Sequence, residues 1–407
     1  MEEPKKSEEL NKYFIIIFSL LGAFAAGFYL KEPLMEAVSV YQPSSPKIQL
    51  EFSYLNDVLH QLEAHFVNPE DIDKNKLIYG AAKGMVESLE DPYTSFFDPE
   101  ETKSFKEDIS GQFEGVGIQI EVRDDRLKVV APLENTPAKR AGILAGDEIL
   151  GVDGISTIGM NVDKAVTLIK GPKGTEVVLT IYRNDWGETK DFTIVRDTIT
   201  VPSLELSFKE SGKKKAAYLK IFQFSDVVYG DFQKAAREII SQDAQGIIID
   251  LRNNPGGLLD QAQDIAGWFL KSREIVLKEE IREGDDYEIK DYLSFGPSNF
   301  SSKPVVVLIN QGSASASEIL TAALRDNRNA VIIGETSFGK GKVQQLFSLQ
   351  DKSSIKITIA NWLTPNGEQI DGNGIKPDIE VEMTAEDYEN DRDPQLDKAV
   401  EIIFSKI

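Results

Sequence analysis

PVVVLINQGSASASEILTAALR, residues 304–325, decides the fold. Pro304 to Ile309 is an unbroken apolar run of strand length, and the serine-rich turn after it opens into a helix reaching about Arg325. Units of the same kind flank it. Ala217 to Ile221 reads as a strand, Asp231 to Ser241 as a helix with Phe232, Ala235, Ala236 and Ile239 aligned, and Gly246 to Leu251 as a second buried strand. Asn253-Asn254-Pro255-Gly256-Gly257 follows, then a helix through Leu270 and, beyond the serine turn, a strand from Ala330 to Ile333. Strands without polar alternation, separated by helices, predict an α/β domain built on a mostly parallel, buried sheet. Ligands bind such sheets at the carboxyl ends of the strands, where the Gly256 loop and the Ser315 turn both fall.

The chemistry follows from what the composition leaves available. The chain of 407 residues has no cysteine and two histidines, so thiol catalysis and zinc–thiolate sites are excluded. His60 and His65 lie far upstream, five positions apart, and read as ordinary helix-surface residues. A Ser-His-Asp triad is therefore poorly supplied, and a serine paired with a lysine base remains. Ser315, after a strand and at a helix start, sits where backbone N–H groups and the helix dipole favour a developing oxyanion. Ser313 and Ser317 compete for the nucleophile role, and serines at such a position also serve as caps. Lys340, in Phe338-Gly339-Lys340-Gly341-Lys342, is the candidate base. To act so it must lose about three units from an ordinary pKa near 10.4, through burial away from carboxylates. Gln344 is placed to orient the amine without imposing charge. The Ala316 amide is a natural oxyanion donor, and Gly256 or Gly257, with no side chain in the way, supplies the second.

Upstream lie other units. Tyr13–Leu30 is an uncharged apolar run of about 18 residues, long enough to span a bilayer core. It predicts a signal anchor, with a cleaved signal peptide ending near Ala23-Phe24-Ala25 as the alternative. Residues 1–12 would be a cytoplasmic tail, 31–48 a stalk, and 49–109 a helical region. The formal charge of −22 argues against a nucleic-acid partner.

Residues 110–198 read as a strand-rich unit. Gly115-Val116-Gly117-Ile118 opens onto alternating Ile118, Ile120 and Val122; Asp124-Asp125 supplies a turn; a helix with Val162, Ala165, Val166 and Ile169 on one stripe runs between caps at Asn161 and Gly171; Glu176 to Arg183 is the last strand. This order resembles a PDZ domain of the bacterial protease-associated type. The resemblance implies that an apolar protein C-terminus adds as a strand beside residues 117–122, with its carboxylate at Gly115, Val116 and Gly117 and its side chain against Ile118, Val166 and Ile169.

Gly312 to Glu318, Phe338-Gly339-Lys340-Gly341 and Gln344 are similar to the active-site motifs of the carboxyl-terminal processing peptidases, or tail-specific proteases. Glu87-Ser88-Leu89-Glu90-Asp91-Pro92-Tyr93-Thr94, Asp250 to Gly257, and Pro365-Asn366-Gly367 through Gly374-Ile375-Lys376-Pro377-Asp378 extend the similarity along the soluble chain. It implies Ser315 as nucleophile, Lys340 as general base and Gln344 as its partner, in a crotonase/Clp-protease-like catalytic domain at 199–385. It also implies a PDZ domain that gates the site, assembly as dimers through the helical ends, including a C-terminal helix within 386–407, and an extracytoplasmic setting. No metal or cofactor is expected. Lys170 stands where the family usually has arginine, which puts a bidentate regulatory contact in doubt. The rival readings are a membrane-tethered PDZ adaptor with an inert hydrolase-like domain and an acyl-transfer enzyme of the crotonase type.

Overall fold

The structure, a computed structural model, describes residues 52–407 except 124, 125, 134, 161, 184, 185, 285, 385, 388, 389 and 391. The expected tail, anchor and stalk, the Asp124-Asp125 turn and the Asn161 cap lie outside these residues. Among the described residues no helix is long and apolar enough to cross a membrane.

Among the described residues three α-helices precede the strand-rich unit: α1 (Ser53–His65), α2 (Lys74–Glu87) and α3 (Pro99–Ser110). Asp73 caps α2 by accepting from the N–H groups of Asn75 and Lys76. Asp98 and Glu101 form a reciprocal capping box on α3, which ends at Gly111 in the left-handed region, φ 67°. His60 and His65 are exposed on α1.

The PDZ unit holds a sheet in the order β3 (Ile118–Arg123), β4 (Arg126–Pro132), β5 (Glu148–Val152), β7 (Glu176–Tyr182), β8 (Thr189–Val195), with β6 (Ile155–Ser156) beside β5. β8 lies beyond the strand expected to be the last. Leu127, Val129, Ile149, Leu179 and Ile181 fill its core, and α5 (Val162–Ile169) lays Ala165 and Ile169 against them; α4 (Pro137–Ala141) adds Ala138. Among the described residues β3 pairs only with β4, which leaves its other edge open. A short ribbon of β2 (Gln112–Gly115) and β9 (Asp197–Thr200) enters and leaves the unit together.

The large sheet runs β10 (Leu204–Ser211), β11 (Lys214–Ile221), β12 (Gly246–Asp250), β15 (Val305–Ile309), β16 (Val331–Gly334), β19 (Ile379–Glu380), and it is parallel from β11 onward. Alternate residues of β12 and β15 serve opposite faces, which is why both strands read as continuous apolar runs. Ile247, Ile249, Val305 and Val307 meet α6 (Val228–Ser241), α7 (Leu259–Phe269) and α8 (Ala316–Arg328), whereas Ile248, Val306 and Leu308 meet Ala399 and Ile403 of α9 (Pro394–Lys406). A second, antiparallel sheet was not evident from the strand–helix pattern. Its strand β18 (Ser354–Leu363) pairs with β17 (Lys342–Ser348) on one side, and with β1 (Ser95–Phe97) and β13 (Ile275–Glu283) on the other; β14 (Asp286–Leu293) completes it.

The C-terminal helix is thus part of the sheet's core. A Cβ on Gly246 would lie 2.7 Å from Cγ1 of Ile403, so α9 rests directly on β12. Ile403→Ala should destabilise the fold by about 2–4 kcal/mol, seen as a lower urea midpoint; an unchanged midpoint would mean that α9 contributes little to the sheet.

Candidate active site

The serine turn follows β15 at the carboxyl edge of the sheet. Ser315 is held at φ 54° and ψ −115°, a conformation that costs a non-glycine residue about 1–3 kcal/mol and persists only when its surroundings enforce it. The enforcement is visible. Ser313 is fully buried and its Oγ donates to the Leu251 carbonyl at 2.8 Å, while Ser317, equally buried, donates to the Asn254 carbonyl at 2.9 Å. Of the three serines, Ser315 alone lines the open cleft.

That cleft, about 420 Å³ in volume, brings together Ser315, Lys340, Gln344, Gly256, Gly257, Lys342, Lys356 and Trp362. Residues separated in sequence by more than eighty positions therefore share one wall. Asn254 shapes the glycine loop: its Nδ2 donates to the Ile221 carbonyl at 2.8 Å, and its Oδ1 accepts from Gly256 N–H at 2.9 Å. The Gly256 amide is therefore already taken up, which corrects its expected place as an oxyanion donor. Gly257 and Ala316 have backbone N–H groups with no acceptor among the described residues. A Cβ on Gly256 would lie 2.9 Å from the Ala316 nitrogen, and one on Gly257 would lie 2.3 Å from the Phe224 carbonyl oxygen. Only glycines allow this approach.

A residue that sequence reasoning passed over joins the two halves of the site. Glu318 is fully buried in the first turn of α8. Its carboxylate accepts from Ser315 N–H at 2.8 Å, from Lys340 N–H at 3.0 Å, from Gly339 N–H at 2.7 Å and from the Ser337 hydroxyl at 2.6 Å. A carboxylate three residues after a turn serine reads as an ordinary capping box, which hides this second use. On its outer side the lysine loop packs on residues 370–375: Gly372 N–H donates to the Gly339 carbonyl at 2.9 Å, and the Ile375 N–H to Ser337 Oγ at 2.7 Å. Trp362 Nε1 fastens the Lys340 carbonyl at 2.7 Å.

The two lysines of the loop part company. Lys342 donates to Asn361 Oδ1 at 2.8 Å and lies 3.3 Å from the Asp371 carboxylate. Lys340 has no ion-pair partner among the described residues; its Nζ sits 5.3 Å from the centre of the Tyr93 ring. Burial, aided by the Lys356 ammonium, pushes the Lys340 amine below its ordinary pKa against a smaller opposing pull from Glu318. Gln344 lies in the same cleft with its Nε2 buried and without a partner among the described residues, and no hydrogen bond joins it to Lys340.

In the PDZ unit, the six residues expected to receive a peptide end line one small apolar pocket of about 170 Å³, between the open edge of β3 and α5. Gly115, Val116, Gly117 and Ile118 supply one wall, and Val166 and Ile169 the other. Lys170 closes one end, its Nζ 3.0 Å from Glu107 Oε2 on α3 and 4.9 Å from the centre of the Phe113 ring.

Residues 215–381 match the profile of peptidase family S41, residues 128–183 that of the PDZ domain, and residues 23–102 that of the activating protease CtpB N-terminal domain. Over 375 residues the chain is 37% identical to the carboxy-terminal processing protease CtpA of Bacillus subtilis, covering 92% of this chain and 78% of that one. Over 370 residues it is 38% identical to the carboxy-terminal-processing protease of Bartonella bacilliformis, covering 88% of this chain and 82% of that one. The crystal structure of a putative S41 protease from Bacteroides fragilis superimposes with a TM-score of 0.54 at 17% identity, over 89% of this chain and 99% of that one, a likeness of fold.

Replacing the Glu318 carboxylate by an amide would set two N–H donors among four donors that need an acceptor. Glu318→Gln should lower kcat on the order of 100-fold with little change in KM and with the far-ultraviolet circular dichroism preserved. Activity within threefold of the parent would show that the serine and lysine segments hold their positions without this carboxylate.

Proposed function

The chain belongs to peptidase family S41, among the carboxy-terminal processing proteases, and from that premise we propose that it cleaves proteins chosen by an apolar C-terminal tail, using Ser315 and Lys340 as a dyad gated by the PDZ domain. One observation carries the choice of dyad. Of the lysines lining the cleft that holds Ser315, Lys342 is ion-paired, whereas Lys340 is half-buried, has no carboxylate partner and lies on the loop that Glu318 ties to the Ser315 turn.

In this reading Ser315 Oγ attacks the scissile carbonyl carbon and its proton passes to the neutral Lys340 Nζ. The carbonyl oxygen becomes an oxyanion between the N–H groups of Gly257 and Ala316. The C–N bond then breaks as Lys340 returns the proton to the leaving amine, and water, deprotonated by the same amine, hydrolyses the acyl ester. Gln344 takes up the amine once substrate closes the cleft. The apolar run at 13–30 anchors the enzyme so that this chemistry takes place outside the cytoplasm, and the helical ends support assembly as a homodimer.

Because the base is the neutral amine, kcat/KM should rise with pH through the depressed value of Lys340 and level off above it. Ser315→Ala and Lys340→Ala should each lower kcat on the order of 10⁴-fold or more while folding and PDZ-peptide binding persist. A Lys340→Ala enzyme with near-normal turnover would remove Lys340 as base.

Gating is read separately. A peptide ending in apolar residues should raise the rate on a second substrate that lacks such a tail, and Val166→Lys, which puts a charge into the PDZ pocket, should abolish the stimulation. Equal stimulation of both enzymes would detach the pocket from control.

A further inference from the structure

The catalytic cleft contains a second lysine to which the dyad gives no task. Lys356, on β18, lines the same wall as Ser315 and Lys340. No carboxylate lies within ion-pair distance of it among the described residues. Its ammonium rests instead against two aromatic faces, 5.6 Å from the centre of the Phe97 ring and 5.3 Å from that of Phe105, and those two rings are stacked with centres 4.8 Å apart. Burial pulls the Lys356 amine below its ordinary pKa, and the π faces, together with Asp91, act against that pull and favour its charged form. In a chain of formal charge −22 a cleft wall with an unpaired cation stands out.

We propose that Lys356 is a positioning residue acting through Lys340: its ammonium, seated on Phe97 and Phe105, keeps the neighbouring amine unprotonated and so available as a base. This rests on the reading of Lys340 as the base. A like charge beside an amine disfavours the second protonation, and adjacent cationic groups are one of the few ways to activate a lysine at ordinary pH.

The other charged groups around Lys340 do not supply this effect. Glu318, from α8, opposes it, and its carboxylate is engaged by four donors. Lys342, from β17, is compensated by Asp371. Tyr93, before β1, offers a ring face and a hydroxyl that burial holds neutral. Asp91 accepts from Thr94 Oγ1 and Tyr93 N–H, and stabilises charge on Lys356. Asp108, on α3, is pushed towards its neutral form by burial.

Two lysines so placed titrate as a pair, and the environment decides which one keeps the proton. Burial works against the charge on both amines; Lys356 has two aromatic faces and Asp91 to offset it, whereas Lys340 has the Lys356 charge added against it and only the smaller pull of Glu318 in its favour. The pair therefore loses its first proton at Lys340, the residue in the lysine loop tied to the Ser315 turn.

The test is the pH profile of kcat/KM for the full-length enzyme in detergent, with a fluorogenic unstructured peptide ending in apolar residues as substrate. Lys356→Met keeps the length of the side chain and removes the charge. It should move the acid limb upward by about one pH unit, a roughly tenfold loss on the limb that vanishes at the alkaline plateau. Lys356→Arg keeps the charge and should leave the limb within a few tenths of a unit of wild type. Thermal melting of both variants checks that the fold is retained, and Lys356→Gln repeats the neutral arm should the methionine variant not fold. A limb that stays in place in a folded neutral variant, or that moves as far with arginine as with methionine, overturns the proposal while the dyad stands. Full turnover by Lys340→Ala would instead sink the dyad reading itself.

Discussion

The site depends on a carboxylate buried where carboxylates are costly. Glu318 is removed from water altogether, and an ionised group in that setting is tolerated only when every oxygen is engaged by donors. Its four donors come from the turn that presents Ser315 and from the loop that presents Lys340. One side chain therefore holds both segments, beside the backbone bond from the Phe338 N–H to the Ser313 carbonyl at 2.9 Å. Each donor left without an acceptor would cost roughly 1–3 kcal/mol, so the arrangement moves as a unit and does not loosen piecemeal. The same carboxylate tends to keep Lys340 protonated, so the cleft must oppose it with burial and with cationic charge.

The strained backbone of Ser315 is the second part of this economy of constraints. Its neighbours Ser313 and Ser317 are both engaged to carbonyls of the 251–254 segment, and Asn254 N–H and side chain in turn tie that segment to Leu251 and Ile221. Strain at one residue survives because the flanking hydroxyls cannot relax without breaking buried hydrogen bonds. What looks in sequence like a redundant run of serines is one reactive hydroxyl between two structural ones.

Much of this was legible beforehand. Continuous apolar strands with helices between them gave the mostly parallel sheet, because burial on both faces removes polar alternation. The six PDZ positions came together because strand alternation and a helical stripe fix which side chains face one groove. The antiparallel sheet escaped notice because its strands β13, β14 and β17 are half-exposed and charged, with no strict period to read. Asn254, Glu318 and Lys356 escaped because each acts through contacts across more than twenty residues of chain, and a lone asparagine, glutamate or lysine carries no local pattern. The choice between Gly256 and Gly257 needed the Asn254 side chain, which spacing cannot show.

The same stitching reaches the entrance of the PDZ unit. The Asp226 N–H donates to the Ile109 carbonyl at 3.1 Å, the Val201 N–H to the Gly111 carbonyl at 2.9 Å, and Gln223 Nε2 to the Asp108 carbonyl at 3.2 Å. Two residues on from Gln223 and just before Asp226, Ser225 packs against Gly111 so closely that a Cβ there would meet its Oγ at 2.8 Å. Phe224, inside that segment, bonds through its N–H to the Gly256 carbonyl and through its carbonyl to the Leu258 N–H, bracketing Gly257. A displacement of residues 109–111 therefore cannot leave 223–226 in place without breaking hydrogen bonds, and 223–226 cannot move without carrying the Gly257 amide. Lys170 reaches the same end of α3 by a single Nζ contact to Glu107, where a guanidinium would grip with two. Backbone bonds thus run from the strand that enters the PDZ unit to the loop that carries Gly257, with the Lys170 contact to Glu107 as a side-chain link beside them.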